Sequence, residues 1–176
     1  GLMGLSAVLA LNSAPAESKE RPSKILKCEV SSVYQDMLES SYAKIASKMK
    51  TNETKDNLRQ GYCAFGSERF PTRQISLEVA VKYLQKAGAD EVDPFIGVVY
   101  FLLGKESELE SKYEDGLISP HSSPESIKQQ LSLIDQHKQH AKNFYAAAIT
   151  ALKRLDNEKK FTSYLNLSLQ RWKNLR

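Results

Sequence analysis

Residues 124–155 read PESIKQQLSLIDQHKQHAKNFYAAAITALKRL, and within them Ile127, Leu131, Ile134, Lys138, Ala141, Tyr145, Ala148, Leu152 and Leu155 alternate spacings of four and three. Positions with that rhythm line one stripe of a helix, because about 3.6 residues complete a turn. The stretch predicts one long helix. Lys138 is the odd member of the stripe and is expected to lead its ammonium out along an aliphatic stem. After a turn at Asp156-Asn157, Phe161, Leu165, Ser168, Trp172 and Leu175 repeat the rhythm. Two helices with so short a connection pack antiparallel, which predicts a hairpin over residues 124–175. A long intermolecular coiled coil is the alternative, disfavoured because the second helix folds back within reach.

Upstream the pattern is helical almost throughout. Val30, Tyr34, Met37, Leu38, Ser41, Ile45 and Met49 predict a first helix over about 30–49. Leu58, Tyr62 and Phe65 mark a short second helix that stops near Gly66. Ser76 reads as an N-cap for a third, with Leu77, Ala80, Val81, Leu84 and Ala87 on one face and Gly88 ending it. Asp93-Pro94 is a helix start, and the run from Phe95 to Leu103 is apolar on every side, so it belongs in the centre. Its β-branched and aromatic content also suits a strand, and helix is the preferred reading. Residues 104–123 read as an acidic stretch and then a loop. The fold class is all-α: a single domain of about six helices, with repeat-like pairs followed by the long hairpin.

Residues 2–16, LMGLSAVLALNSAPA, carry no charge and end in small residues. That is the form of a secretory signal segment over residues 1–16, cleaved before Glu17, although no Lys or Arg precedes the apolar run. The alternative is an N-terminal helix retained in the core. Residues 17–29 are polar and read as extended, and residues 30–176 form the helical domain. No later apolar run approaches the roughly 20 residues that span a membrane.

The two cysteines, Cys28 and Cys63, form one disulfide in an oxidising compartment and stay as two reduced thiols in the cytosol. Net charge is +4, too mild to imply nucleic acid. The charge is uneven: residues 90–115 hold eight acids against two lysines, and residues 151–176 hold seven bases against two acids. These segments either face one another or form two solvated faces.

Within Leu58–Gly116, Leu58, Tyr62 and Gly66 are followed by the helix Ala80-Val-Lys-Tyr-Leu-Gln-Lys-Ala87. The next unit carries Ile96-Gly97-Val-Val-Tyr100 and ends in Leu103-Gly104, so Tyr62 to Tyr100 and Gly66 to Gly104 both recur at 38 residues. This third of the chain resembles the Sel1-like and tetratricopeptide-like helical repeat superfamily. The connection from Gly66 to Ala80 is longer than in those repeats, and no third copy follows. The resemblance implies an interaction scaffold and carries over no catalytic residues.

Chemistry-bearing residues are sparse. His137 and His140 share a helical face with Asp135 nearby, but zinc wants three or four ligands and no second cluster is present. His121 adjoins Ser122 and Ser123 in a proline-bounded loop, a pairing that turn chemistry explains. No motif surrounds Cys63 to suggest a thiol catalyst, and Glu106/Glu110 lie in a solvated acidic stretch. There is no phosphate-cradling loop or dinucleotide fingerprint, so no cofactor is expected. Trp172, between Arg171 and Lys173, falls on the apolar rhythm and reads as core rather than as a stacking platform for nucleic acid. Asn52 and Asn166 fit the glycosylation pattern, with Asn52 the better acceptor in an apparent turn.

These readings converge on a non-catalytic exported protein with a protein partner: a scaffold or accessory subunit of a periplasmic, secreted or lumenal assembly. Faces around Tyr62, Tyr83 and Tyr100 are the expected binding surface, since aromatic groups dominate hot spots. The alternatives are an immunity-type inhibitor of a secreted toxin or hydrolase, and an enzyme without recognisable motifs.

Overall fold

The structure, a computed structural model, describes residues 19–175. The expected signal segment, residues 1–16, lies outside them. A β-hairpin opens the described chain, β1 (Glu20–Ser23) pairing antiparallel with β2 (Cys28–Ser31). Six α-helices follow: α1 (Gln35–Ala46), α2 (Asn52–Gly66), α3 (Arg73–Lys86), α4 (Phe95–Gly116), α5 (Pro124–Leu155) and α6 (Thr162–Asn174). The chain is thus mostly α-helical, as the periodicity predicts.

The polar segment expected to be extended over residues 17–29 pairs, in its described part, as a β-hairpin, and the first helix starts at Gln35 rather than at Val30. Lys27 takes a left-handed turn conformation (φ 56°), which reverses the chain between two four-residue strands. The turn drives Leu26 and β2 drives Val30 into the core, both fully buried. The Cys28–Cys63 disulfide fastens β2 to α2, with an S–S distance of 2.07 Å. Arg69 pairs with Glu20 at 3.1 Å and with Glu29, tying the α2–α3 connection to the same hairpin.

Helix starts follow local capping chemistry. Thr51 accepts a hydrogen bond from Thr54 N–H at 3.1 Å, so α2 begins before the apolar rhythm does. Thr72, not Ser76, caps α3 by accepting from Ile75 N–H at 3.2 Å. Ser76 lies inside the helix, buried, where its hydroxyl accepts from Arg73 at 2.9 Å. Gly88 ends α3 at φ +71°, a conformation a side chain resists.

Packing is organised around α4. Every residue from Phe95 to Gly104 except Tyr100 is buried, which settles helix over strand. Gly97 and Gly104 let α5 approach closely: a Cβ at Gly97 would lie 2.5 Å from Leu152, and one at Gly104 2.6 Å from the Tyr145 ring. A series of tilted and edge-on rings (Tyr34, Phe65, Phe95, Phe161, Tyr164, Phe101, Tyr145) threads the core with centroid separations of 4.8–6.4 Å. Ser123 caps α5 by accepting from Ser126 N–H, and α6 returns antiparallel along α5.

Candidate interaction surface

The structure does not bring the three expected tyrosines together. Tyr62 is fully buried, so it belongs to no surface; this corrects the expectation. Tyr83 is half-buried and lines a groove with Cys28, Cys63, Phe70 and Val79. Tyr100 is half-buried in a separate groove between α4 and α5, where its hydroxyl accepts from Gln85 Nε2 at 3.1 Å. Spacing alone could not separate these cases, because a tyrosine on an apolar rhythm looks the same whether its hydroxyl meets solvent or a buried partner.

Burial of Tyr62 instead creates a polar pair. Its hydroxyl donates to Asp93 Oδ2 at 2.7 Å, and Asp93 Oδ1 accepts from Phe95 N–H at 3.0 Å, so the carboxyl also caps α4. Burial pushes the Asp93 carboxyl up to about 6, with the two hydrogen bonds and the charges of Lys160 and Lys48 pulling back. Burial and the neighbouring carboxylate hold the Tyr62 hydroxyl well above its ordinary value. Asp93 floors a small cleft of about 110 Å³, rimmed by Lys44, Lys48, Lys160 and Glu158. Lys44 pairs with Glu158, and the Lys160 ammonium donates to Ser41 Oγ at 2.8 Å. These partners are intramolecular, and the carboxylate's work is to close a helix end and hold a tyrosine.

Most of the exposed large apolar side chains lie at the far end of α4 and α5. Among the described residues, eight large apolar side chains are exposed, and five of them sit there: Leu109, Tyr113, Leu117, Leu131 and Leu133, at 37–67% exposure. The cause is a mismatch of lengths. At a rise of about 1.5 Å per residue, the 32 residues of α5 reach about 48 Å, whereas the 13 of α6 reach about 20 Å. The end of α6, at Asn174 and Leu175, comes alongside Asp135, Lys138 and Gln139 of α5. Beyond that point, among the described elements, α4 and α5 continue as a two-helix arm. The expected seam is covered at Ile134, Ala141, Tyr145, Ala148 and Leu152, half-covered at Ile127, and open at Leu131 and Lys138. The acidic stretch read as partly loop is helical to Gly116 and forms one half of the arm.

The remaining candidates have local roles. His137 Nδ1 lies 3.5 Å from Glu110, and His140 is exposed. No group of three or more metal-ligating side chains occurs among the described residues. Near His121, Ser122 Oγ accepts from Ser119 N–H, while Ser123 caps α5. Trp172 packs against the core, with the Lys142 ammonium 5.9 Å from its ring. The acidic and basic segments meet at Glu108–Arg171 (3.5 Å) and Glu91–Arg154 (3.7 Å), so they face one another in part. Asn52 is exposed, and so is Asn166.

No protein-family model, curated protein or solved structure matches this chain.

Proposed function

We propose that this chain is an exported, non-catalytic interaction protein, a scaffold or accessory subunit of a secreted, periplasmic or lumenal assembly, that engages a protein partner through the α4–α5 arm. One observation carries the reading. A turn-spaced row of Leu109, Tyr113 and Leu117 is exposed on a helix whose first ten residues are buried except for Tyr100. Clustered apolar exposure of this kind marks interaction sites on folded chains. The Cys28–Cys63 bond supports an oxidising compartment, where such bonds persist. Among the described residues no helix is long and apolar enough to cross a membrane. The spacing shared with Sel1-like repeats supports a scaffold role, and residues 1–16 are read as the signal that directs export.

Two measurements test this. A photo-reactive phenylalanine analogue at position 113, expressed in the native host, is expected to crosslink one discrete protein, and Leu109→Asp with Leu117→Asp to abolish the adduct. Absence of any adduct that depends on the arm rejects the reading. Intact mass of the exported protein is expected to begin at Glu17 and to be lighter by the two hydrogens of one disulfide. Free thiols or a retained residue 2–16 segment reject the address.

A further inference from the structure

We infer that the arm's partner presents an amphipathic helix with basic flanks, docked along α4; this rests on the arm being the binding site. Leu109, Tyr113 and Leu117 are four residues apart and share a stripe, and Glu106, Glu110 and Glu114 run alongside them at the same spacing. An apolar row with an acidic border is the complement of a helix carrying leucine-like anchors and flanking Lys or Arg. Helix α3 lies against the buried half of α4, and its first residue, Arg73, is held by Phe65 O, Ser76 Oγ and the Phe65 ring, near enough to Glu106 to draw its carboxyl down. One turn further along, Glu110 has His137 beside it at 3.5 Å and Glu106 on its own helix, and the apolar row is exposed. An incoming basic helix would place its cations on this row of three carboxylates while its apolar face covers Leu109, Tyr113 and Leu117. A second copy of this chain is a poorer occupant, since a twofold contact through this face sets the acidic row against itself.

The test uses the full-length oxidised protein and three synthetic peptides of about 18 residues, long enough for five turns. One is a helix with leucine on one face and lysine beside it. The second replaces lysine with glutamate, and the third scrambles the first so that no single apolar face remains. Fluorescence anisotropy is expected to show binding of the leucine/lysine helix only. Tyr113→Asp is expected to weaken it at least about tenfold, and Glu110→Lys with Glu114→Lys to transfer preference to the glutamate helix. Unchanged melting of the variants separates lost binding from lost folding. Equal binding of the scramble, indifference to the charge reversal, or sedimentation showing self-association that Tyr113→Asp abolishes each overturns the inference. A position-113 adduct together with any of these results rejects the basic helix alone. No adduct and no peptide binding reject the arm as a binding site as well.

Discussion

Tyr62 and Asp93 meet where α2 passes the first turn of α4, and neither group has solvent to fall back on. The folded carboxyl titrates at about 6 against 3.8 for a free one, so between those values the fold keeps a proton that the unfolded chain has released. Stability from this group is therefore full below about pH 4 and is lost as pH rises through 6, by up to about 3 kcal/mol. Asp93→Asn cannot titrate, and its single amide oxygen can accept from Tyr62 or from Phe95 N–H but not from both, a loss that is the same at every pH. Urea titrations from pH 4 to 7 should show the difference between wild type and Asp93→Asn changing by about 2–3 kcal/mol; parallel curves would refute the assignment. Tyr62→Phe withdraws the shorter of the two hydrogen bonds to Asp93. It should cost about 1–3 kcal/mol and move the upper edge of the pH window higher, because that bond holds the carboxyl down. At Gly104 the conflict is steric. An added Cβ would lie 2.6–2.9 Å from three atoms of the Tyr145 ring, whose hydroxyl is anchored on Glu108. Overpacking of about 1–3 kcal/mol outweighs the gain of about 1 kcal/mol in helix propensity. Gly104→Ala should thus melt below wild type.

At the scale of elements, legibility tracked how local the determining forces are. The hairpin of α5 and α6 was readable because its rhythm persists from Ile134 to Leu155 and from Phe161 to Leu175, and a short turn leaves one way to pack. The β-hairpin was not, since four-residue strands such as Glu20–Ser23 are too short to show an alternation and contain Pro22. Its existence depends on Val30 and Leu26 finding α2, a contact invisible in sequence. The arm was hidden for the opposite reason. Leu131 keeps the spacing of a buried seam, and only where α6 ends decides that it is bare. With one neighbour instead of two, arm amides should open at lower free energy than the rest of the bundle. Hydrogen exchange should be faster in 109–117 and 124–134 than in 96–104 and 141–152. Uniform protection along α4 would mean that the arm is supported as well as the core.

Across the whole molecule, the all-α architecture was legible and the exposed apolar face of the arm was not, because a fold follows from periodicity while exposure follows from which elements run out first. The Cys28–Cys63 bond spans 35 residues, and by the chain-entropy argument its loss should cost roughly 3–4 kcal/mol. Cys28→Ser with Cys63→Ser, measured by chemical denaturation, should show a deficit of that order with helicity retained. The position of that bond also sets an order of events. Both cysteines precede α3 to α6, so a covalent ring can close around β2 and most of α2 while later segments are still being delivered. Tyr62 lies on that ring and Phe65 two residues beyond it, yet the aromatic side chain that both meet, Phe95, comes later in the chain. The early unit is thus born oily on one side, and its safe completion is a race between the arrival of α4 and the nearest wrong neighbour.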